Sequence, residues 1–243
     1  MKGVRWLING VRKAAAGLRP FGESVWPGVR SDLFVAHESI YELFAPQCIG
    51  KRVLDLGCGT GYGSARIARD AKSVLAVDVD RRSIRYAQKH YAAPNLRFET
   101  ADIESLVLRE SFDVVTASNS LEHLHDPRRA FAVVRDVIEN DGVFLVAVPP
   151  VRNEHDLRLH NDAAYHVSVL SVDEWAELFT STGFDVKRFL HRAREGVDPD
   201  FFSQRTSRLR VDDFHFIETT REGLRMQPTI TAIFSASPAA RPR

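Results

Sequence analysis

The stretch Val53 to Ser64, VLDLGCGTGYGS, holds the densest chemical signal in this chain of 243 residues. Apolar Val53, Leu54 and Leu56 suit a buried parallel strand, and Gly57, Gly59 and Gly61 follow where a strand turns tightly into a helix. Glycine serves such a turn because a Cβ would bar positive φ and hold a ligand off the backbone; the helix beyond it opens with unpaired N–H groups. Asp55 precedes the glycines. Asp78 ends the next apolar run, VLAVD, where the second strand of a βαβ unit would stop beside the glycine turn, and a carboxylate there accepts both hydroxyls of a ribose. The spacing D-x-G-x-G-x-G differs from the G-x-G-x-x-G that grips a pyrophosphate, and its leading acid would repel one. The glycines alone leave a dinucleotide-dependent dehydrogenase open. The leading acid points instead to a ligand without phosphate, and a third acid, Asp102, follows the run RFETA.

A second set of reactive side chains follows the run FDVVTAS. Residues 119–127 read NSLEHLHDP and put Glu122 beside His123, a pairing able to hold a cation or move a proton. Downstream, His155, Asp156, His160, Asp162 and His166 crowd the stretch HDLRLHNDAAYH. Acids and histidines in a polar loop are usually solvated, but this density beside an expected site points to function.

These residues need a scaffold that gathers strand ends. Runs at 52–56, 73–78, 95–100, 112–117, 143–148, 184–190 and 229–236 read as strands, with helices at 62–70, 81–91, 127–139 and 171–182. Strands alternating with helices imply an α/β fold, a parallel sheet covered on both faces. Asp141-Gly142 reads as the turn before the fifth strand. Ligands of such sheets sit beyond the carboxyl ends of the strands, and two connections longer than the usual ~2–6 residues, 149–170 and 191–228, should form a polar pocket there. In the second, Phe201, Phe202, Phe214 and Phe216 offer apolar faces and Arg205, Arg208 and Arg210 offer charge. A lid or dimer contact built from the same residues is the alternative.

Ahead of the glycine turn, residues 31–45 (SDLFVAHESIYELFA) form a helix that directs Leu33, Phe34, Ile40, Leu43 and Phe44 to the sheet. It carries His37 and Tyr41 one turn apart on a shared face. Residues 3–18 read as a basic amphipathic helix, ended by Pro20, that docks on the domain, on a second subunit or on an anionic membrane surface. The chain thus divides into a helical extension, 1–45, and one α/β domain, 46–243, with 191–228 inserted before the last strand.

Composition sets the bounds. An apolar content of 44% and a charged content of 27% are ordinary for a globular protein, and a net charge of +1 gives no global pull toward nucleic acid. Residues 1–30 carry six basic groups against Glu23, a net +5 that leaves −4 on the remainder. Two cysteines, Cys48 and Cys58, argue against a disulfide framework and fit a reducing cytoplasm, with residues 1–19 as a peripheral membrane contact. No apolar run approaches the ~18 residues of a membrane span.

With Asp55 before the glycines, Asp78 at the second strand end and Asp102 after the third, the chain resembles the class I S-adenosylmethionine-dependent methyltransferases from about Lys51 to Leu190. The resemblance implies a Rossmann-like sheet of seven strands in the order 3-2-1-4-5-7-6, the last strand antiparallel. It also implies that Gly57, Cys58, Gly59 and Gly61 pack on the methionyl and ribose portions of S-adenosylmethionine. Asp78, followed by Val79, would hold the ribose, and Asp102 the adenine amine, with Ala101 and Ile103 flanking the base. Asp55 would order the glycine loop and face the amino group. Asn119 would approach the cofactor from the fourth strand, and Tyr41 would reach the methionyl end, as in relatives with a similar H-x-x-x-Y.

In the ubiquinone-pathway O-methyltransferases and the small-RNA 2′-O-methyltransferases, the segment matching 119–123 reads E-x-x-E-H and holds a divalent cation, joined in the RNA enzymes by a later histidine. Here Glu122 and His123 are kept, His166 is similar to the later histidine, and Asn119 replaces the first acid. The likeness therefore implies a site for Mg²⁺ or another divalent cation at Asn119, Glu122, His123 and His166, one negative charge short. E-H-L-x-D-P also closes this loop in methyltransferases without metal, and that reading stays open. Glu122, His123, His155 and His166 are the candidate catalytic groups, since an aliphatic hydroxyl needs a cation or base to favour loss of its proton. The block GCGTGYGS and the H-x-x-x-Y helix are most similar to bacterial methyltransferases of polysaccharide and glycolipid synthesis. This implies O-methylation of a sugar hydroxyl on a small or oligosaccharide acceptor, with no nucleic-acid partner. A phenol or quinone precursor, or a cofactor-binding assembly subunit, are the alternatives.

Overall fold

The computed structural model describes residues 30–149, 151–162, 166–193, 208–226 and 231–240. The basic helix expected at 3–18 lies outside them, as do Phe201, Phe202 and Arg205. Strands β1 (Arg52–Leu56), β2 (Ser73–Asp78), β3 (Leu96–Thr100), β4 (Phe112–Ser118) and β5 (Ile138–Val148) pair in parallel. β6 (Phe184–Ala193), β7 (His215–Thr219) and β8 (Thr231–Pro238) complete one sheet in the order β3-β2-β1-β4-β5-β8-β6-β7. β8 runs antiparallel to both β5 and β6, and β7 runs antiparallel to β6.

The expected seven-stranded order is thus extended by an eighth strand at the edge, so 191–228 is not a plain loop insertion. β7 escapes a reading of sequence because it is short and three of its five residues are exposed, which leaves no apolar alternation to find. A second correction concerns β5, which begins at Ile138. Asp141-Gly142 lies inside that strand, where its pairing with β4 slips between Phe112/Ile138 and Val114/Val143. A Cβ on Gly142 would sit 2.6 Å from Ile138 Cγ1, so the glycine answers to packing as well as to the irregularity.

Alternation along the buried strands sorts the core into two layers. Val53 packs with α1 (Asp32–Phe44), α2 (Tyr62–Ala68) and α3 (Arg81–His90) through Ile40, Phe44, Ile67 and Ile84. Leu54 and Leu56 belong to the opposite layer, with Phe131 of α4 (Pro127–Val137) and Trp175 and Phe179 of α6 (Val172–Ser181). Two more helices, α5 (Glu154–Asp162) and α7 (Arg221–Met226), fill parts of the two long connections. Four of these helices, α1, α3, α4 and α6, start where side chains satisfy their first N–H groups. Ser31 accepts from Phe34 N, Asp80 from Arg82 N and Asp126 from Arg128 N, and Ser171 with Glu174 forms a capping box. No described helix is long and apolar enough to cross a membrane.

Candidate functional site

The glycine turn leaves β1 through three left-handed residues, Gly57 (φ 73°), Gly59 (φ 54°) and Gly61 (φ 84°). A Cβ on Gly57 would lie 2.4 Å from Ser120 Cβ, so the turn packs directly against the segment after β4. Ser120 Oγ adds a bond to Leu56 O at 2.9 Å. Asp78 holds the turn from the other side. Its Oδ2 accepts the Gly59 N–H and its Oδ1 the Asp80 N–H, both at 2.8 Å. Burial raises the Asp78 pKa; the two N–H groups pull it down, Asp80 adds to the rise and the His123 charge opposes it. The following Val79 is 70% exposed, an apolar face beside a carboxylate. Ala101 donates its N–H to Asp78 O at 3.0 Å. Ile103 is buried, while Asp102 is exposed and caps the short 3-10 turn Ile103–Ser105 through Glu104 N.

Asp55 lies one layer deeper. It is fully buried and accepts Ser64 Oγ (2.6 Å), Thr116 Oγ1 (2.8 Å) and Tyr41 Oη (3.4 Å). Burial pushes its pKa up to about 6 against the pull of those three hydroxyls. The acid therefore ties β1 to α2, β4 and α1 from beneath the glycine turn, which is where the structure places the group expected to face an amine. Tyr41 is 4% exposed and packs where a Cβ on Gly63 would come within 2.2 Å of its ring. Cys58 is buried too; burial, then the charges of Asp55 and Asp78, raise its pKa well above the usual thiol range, which keeps it neutral and inert.

The second constellation forms after β4. Asn119 has φ 48°, a left-handed conformation that asparagine tolerates, and it donates its N–H to Ala147 O at 2.8 Å. Its amide nitrogen reaches Ser118 Oγ at 3.5 Å. The 3-10 turn Leu121–His123 follows. Glu122 is 3% exposed, and its carbonyl accepts the N–H groups of Val167 and Ser168, each at 2.9 Å. Ser168 Oγ closes the same seam on Leu124 O at 2.7 Å. This zipping sets His166 beside His123, with ring centroids 5.3 Å apart. One ligand atom from each of Glu122, His123 and His166 lies within 4.8 Å of the others.

The remaining expected groups part company. His155 is exposed on α5, its backbone N–H on Asn153 Oδ1. Asp156 is 3% exposed and accepts both the N–H and the Nε of Arg152, at 3.0 and 2.7 Å, so it is an ion-paired strut. The side chains of His160 and Asp162 lie outside the described residues. Phe214, expected on a pocket face, is 5% exposed and packs with Phe34, Val35 and Ala36 on α1, which corrects that expectation. Arg208 and Arg210 are exposed. Sequence reasoning missed the seam at Val167 and Ser168 and the carboxylate of Glu104, whose Oε1 accepts Asp126 N at 2.7 Å. The seam has no local signal, because its partners are distant in sequence.

Residues 54–146 match the family model described as a methyltransferase domain. The chain is 31% identical over 172 residues to a probable S-adenosylmethionine-dependent methyltransferase of Mycolicibacterium smegmatis, covering 68% of this chain and 65% of that relative. It is 37% identical over 97 residues to a ubiquinone biosynthesis O-methyltransferase of Ralstonia nicotianae, covering 38% and 41%. The chain thus spans less than two thirds of the length of these relatives. Its fold is similar to that of the N-methyltransferase NodS from Bradyrhizobium japonicum, solved with S-adenosyl-L-homocysteine. That likeness has a TM-score of 0.63 at 13% identity and covers 93% of this chain and 97% of that one. Residues 54–146, in sequence and in fold, are the core of a class I S-adenosylmethionine-dependent methyltransferase domain.

Proposed function

We propose that this protein is an S-adenosylmethionine-dependent O-methyltransferase that acts on a sugar hydroxyl of a saccharide or glycolipid, with help from a divalent cation. The observation that carries the reading is the convergence of Glu122, His123 and His166 next to the glycine turn. The residues present fit the cofactor: a left-handed glycine turn, a carboxylate beside it at Asp78, and the exposed apolar face of Val79. When bound, S-adenosylmethionine supplies a methyl group already activated on a sulfonium, so the chain need only align the acceptor and exclude water.

Two imidazoles and one carboxylate fit a borderline cation such as Mn²⁺ better than Mg²⁺, which prefers an all-oxygen shell. Such a cation would favour the deprotonated form of an aliphatic hydroxyl. Without one, His123 or His166 is the base. A second reading, methylation of a phenol in a quinone pathway, is favoured by the likeness to the Ralstonia enzyme. One assay separates these. Label from S-adenosylmethionine should pass to an oligosaccharide or glycolipid, stop with excess chelator and return with Mn²⁺. Label in a phenol with none in any saccharide would overturn the sugar assignment, and full activity in chelator would overturn the cation.

A further inference from the structure

Glu104 lies two residues beyond Asp102, half-buried in the turn Ile103–Ser105, and both of its carboxylate oxygens reach into a different segment. Oε1 accepts the N–H of Asp126 at 2.7 Å, and Oε2 accepts the N–H of His125 at 3.3 Å. Asp126 is the N-cap of α4, and the turn with Glu122 and His123 ends just before these residues. A carboxylate suits this place, since a helix start presents unpaired N–H groups and a positive dipole end. The two turns also share a packing layer, in which Ile103 and Leu121 are buried together and Leu124 lies against them. On its other side the Glu104 turn hangs from Asp78 through the Ala101 N–H. Asp78, whose carboxylate holds the glycine turn and whose backbone carbonyl holds Ala101, is thus linked through residues 101–104 and the Glu104 carboxylate to the segment that follows Glu122 and His123.

We infer that Glu104 is a positioning residue that makes the order of the Glu122–His123 turn depend on occupancy of the cofactor site. The inference rests on the proposed cofactor reading, in which the base lies against Ala101–Ile103. A ligand that fixes Ile103 fixes the adjacent Glu104, and Glu104 is the group that grips the next turn. The bound state then has a stronger hold on residues 121–126 than the free state, and this difference is what lets a ligand shift a local equilibrium. By reciprocity, any group held at Glu122 and His123 raises cofactor affinity by the same factor.

Hydrogen–deuterium exchange on the full chain, with and without S-adenosylhomocysteine, tests this. In the unsubstituted protein the ligand should slow exchange at 121–127 by about fivefold or more, the lower range of ordinary coupling between sites. In Glu104→Ala that slowing should vanish while slowing at 57–61 persists. Glu104→Gln, which keeps one acceptor oxygen, should recover part of it; a merely structural loss would show in the free protein and ignore the ligand. Equal slowing at 121–127 in Glu104→Ala overturns the inference. So does its absence in the unsubstituted protein when 57–61 respond. If 57–61 also fail to respond, the cofactor reading itself falls and takes this inference with it.

Discussion

In the half of the sheet made by β1, β2 and β3, two acids of the site, Asp78 and Asp102, are fastened within their own segment. Asp78 takes the N–H of Asp80 two residues on and that of Gly59 across one βαβ unit. Asp102 caps the turn that follows it. In the half made by β4, β5, β8 and β6, the groups that converge are brought from afar. The seam that sets His166 beside His123 joins Leu124 to Ser168, 44 residues apart, and is made of two backbone N–H groups and the Ser168 hydroxyl. The first half can be assembled from one continuous segment, whereas the second exists only once separate connections have met.

Three substitutions sharpen or break the contrast. The largest effect is expected at Asp55, whose carboxyl is raised from 3.8 to about 6 by burial. The native state then holds a proton that the unfolded chain has already lost between about pH 4 and pH 6. Stability falls as pH rises through that window and levels off above it, by on the order of 3 kcal/mol. Urea unfolding across pH should show this drop relative to Asp55→Asn, which cannot titrate; a constant difference between the two proteins would remove the argument. Next comes Asp78→Ala, which should weaken S-adenosylhomocysteine binding by about 1–3 kcal/mol, the scale of stranding buried partners. Calorimetry checks it, and an unchanged affinity would take the donor role from this acid. The smallest effect belongs to the other half. Asn119→Glu, which restores the acid of E-x-x-E-H, should cost about 1–2 kcal/mol of stability because glutamate tolerates φ 48° poorly. A thermal melt that does not move would show that the backbone there is free to relax.

The same division governs how much could be read from residues alone. β1 to β4 lie where apolar runs and the glycine turn put them, because their signals are local: VLDL before the glycines, VLAVD ending at Asp78. The roles of Asp156 and Phe214 were not legible. An acid beside histidines looks chemical until Arg152 is seen to grip it, and a phenylalanine in a long connection gives no sign that it folds back over α1. Strand β7 was hidden for a related reason, since an edge strand with one exposed side needs few apolar residues. Asp55 sits in β1 just ahead of the glycines, but its full burial beneath the turn was not legible, because spacing gives no measure of depth.

The antiparallel β8 carries a temporal consequence. Among the described residues it is the strand that joins β5 to β6, with its register running from Phe144↔Ala236 on one side to Leu190↔Ile233 on the other. Residues 231–238 are made after everything else in the sheet, so while the chain emerges from the ribosome β5 has an open edge and the β6–β7 hairpin has no berth. The half made by β1, β2 and β3 can already be folded at that stage, since those strands end at Thr100. The other half must wait for the final strand to be threaded between two waiting neighbours, a late long-range closure during which an unpaired edge is open to other chains.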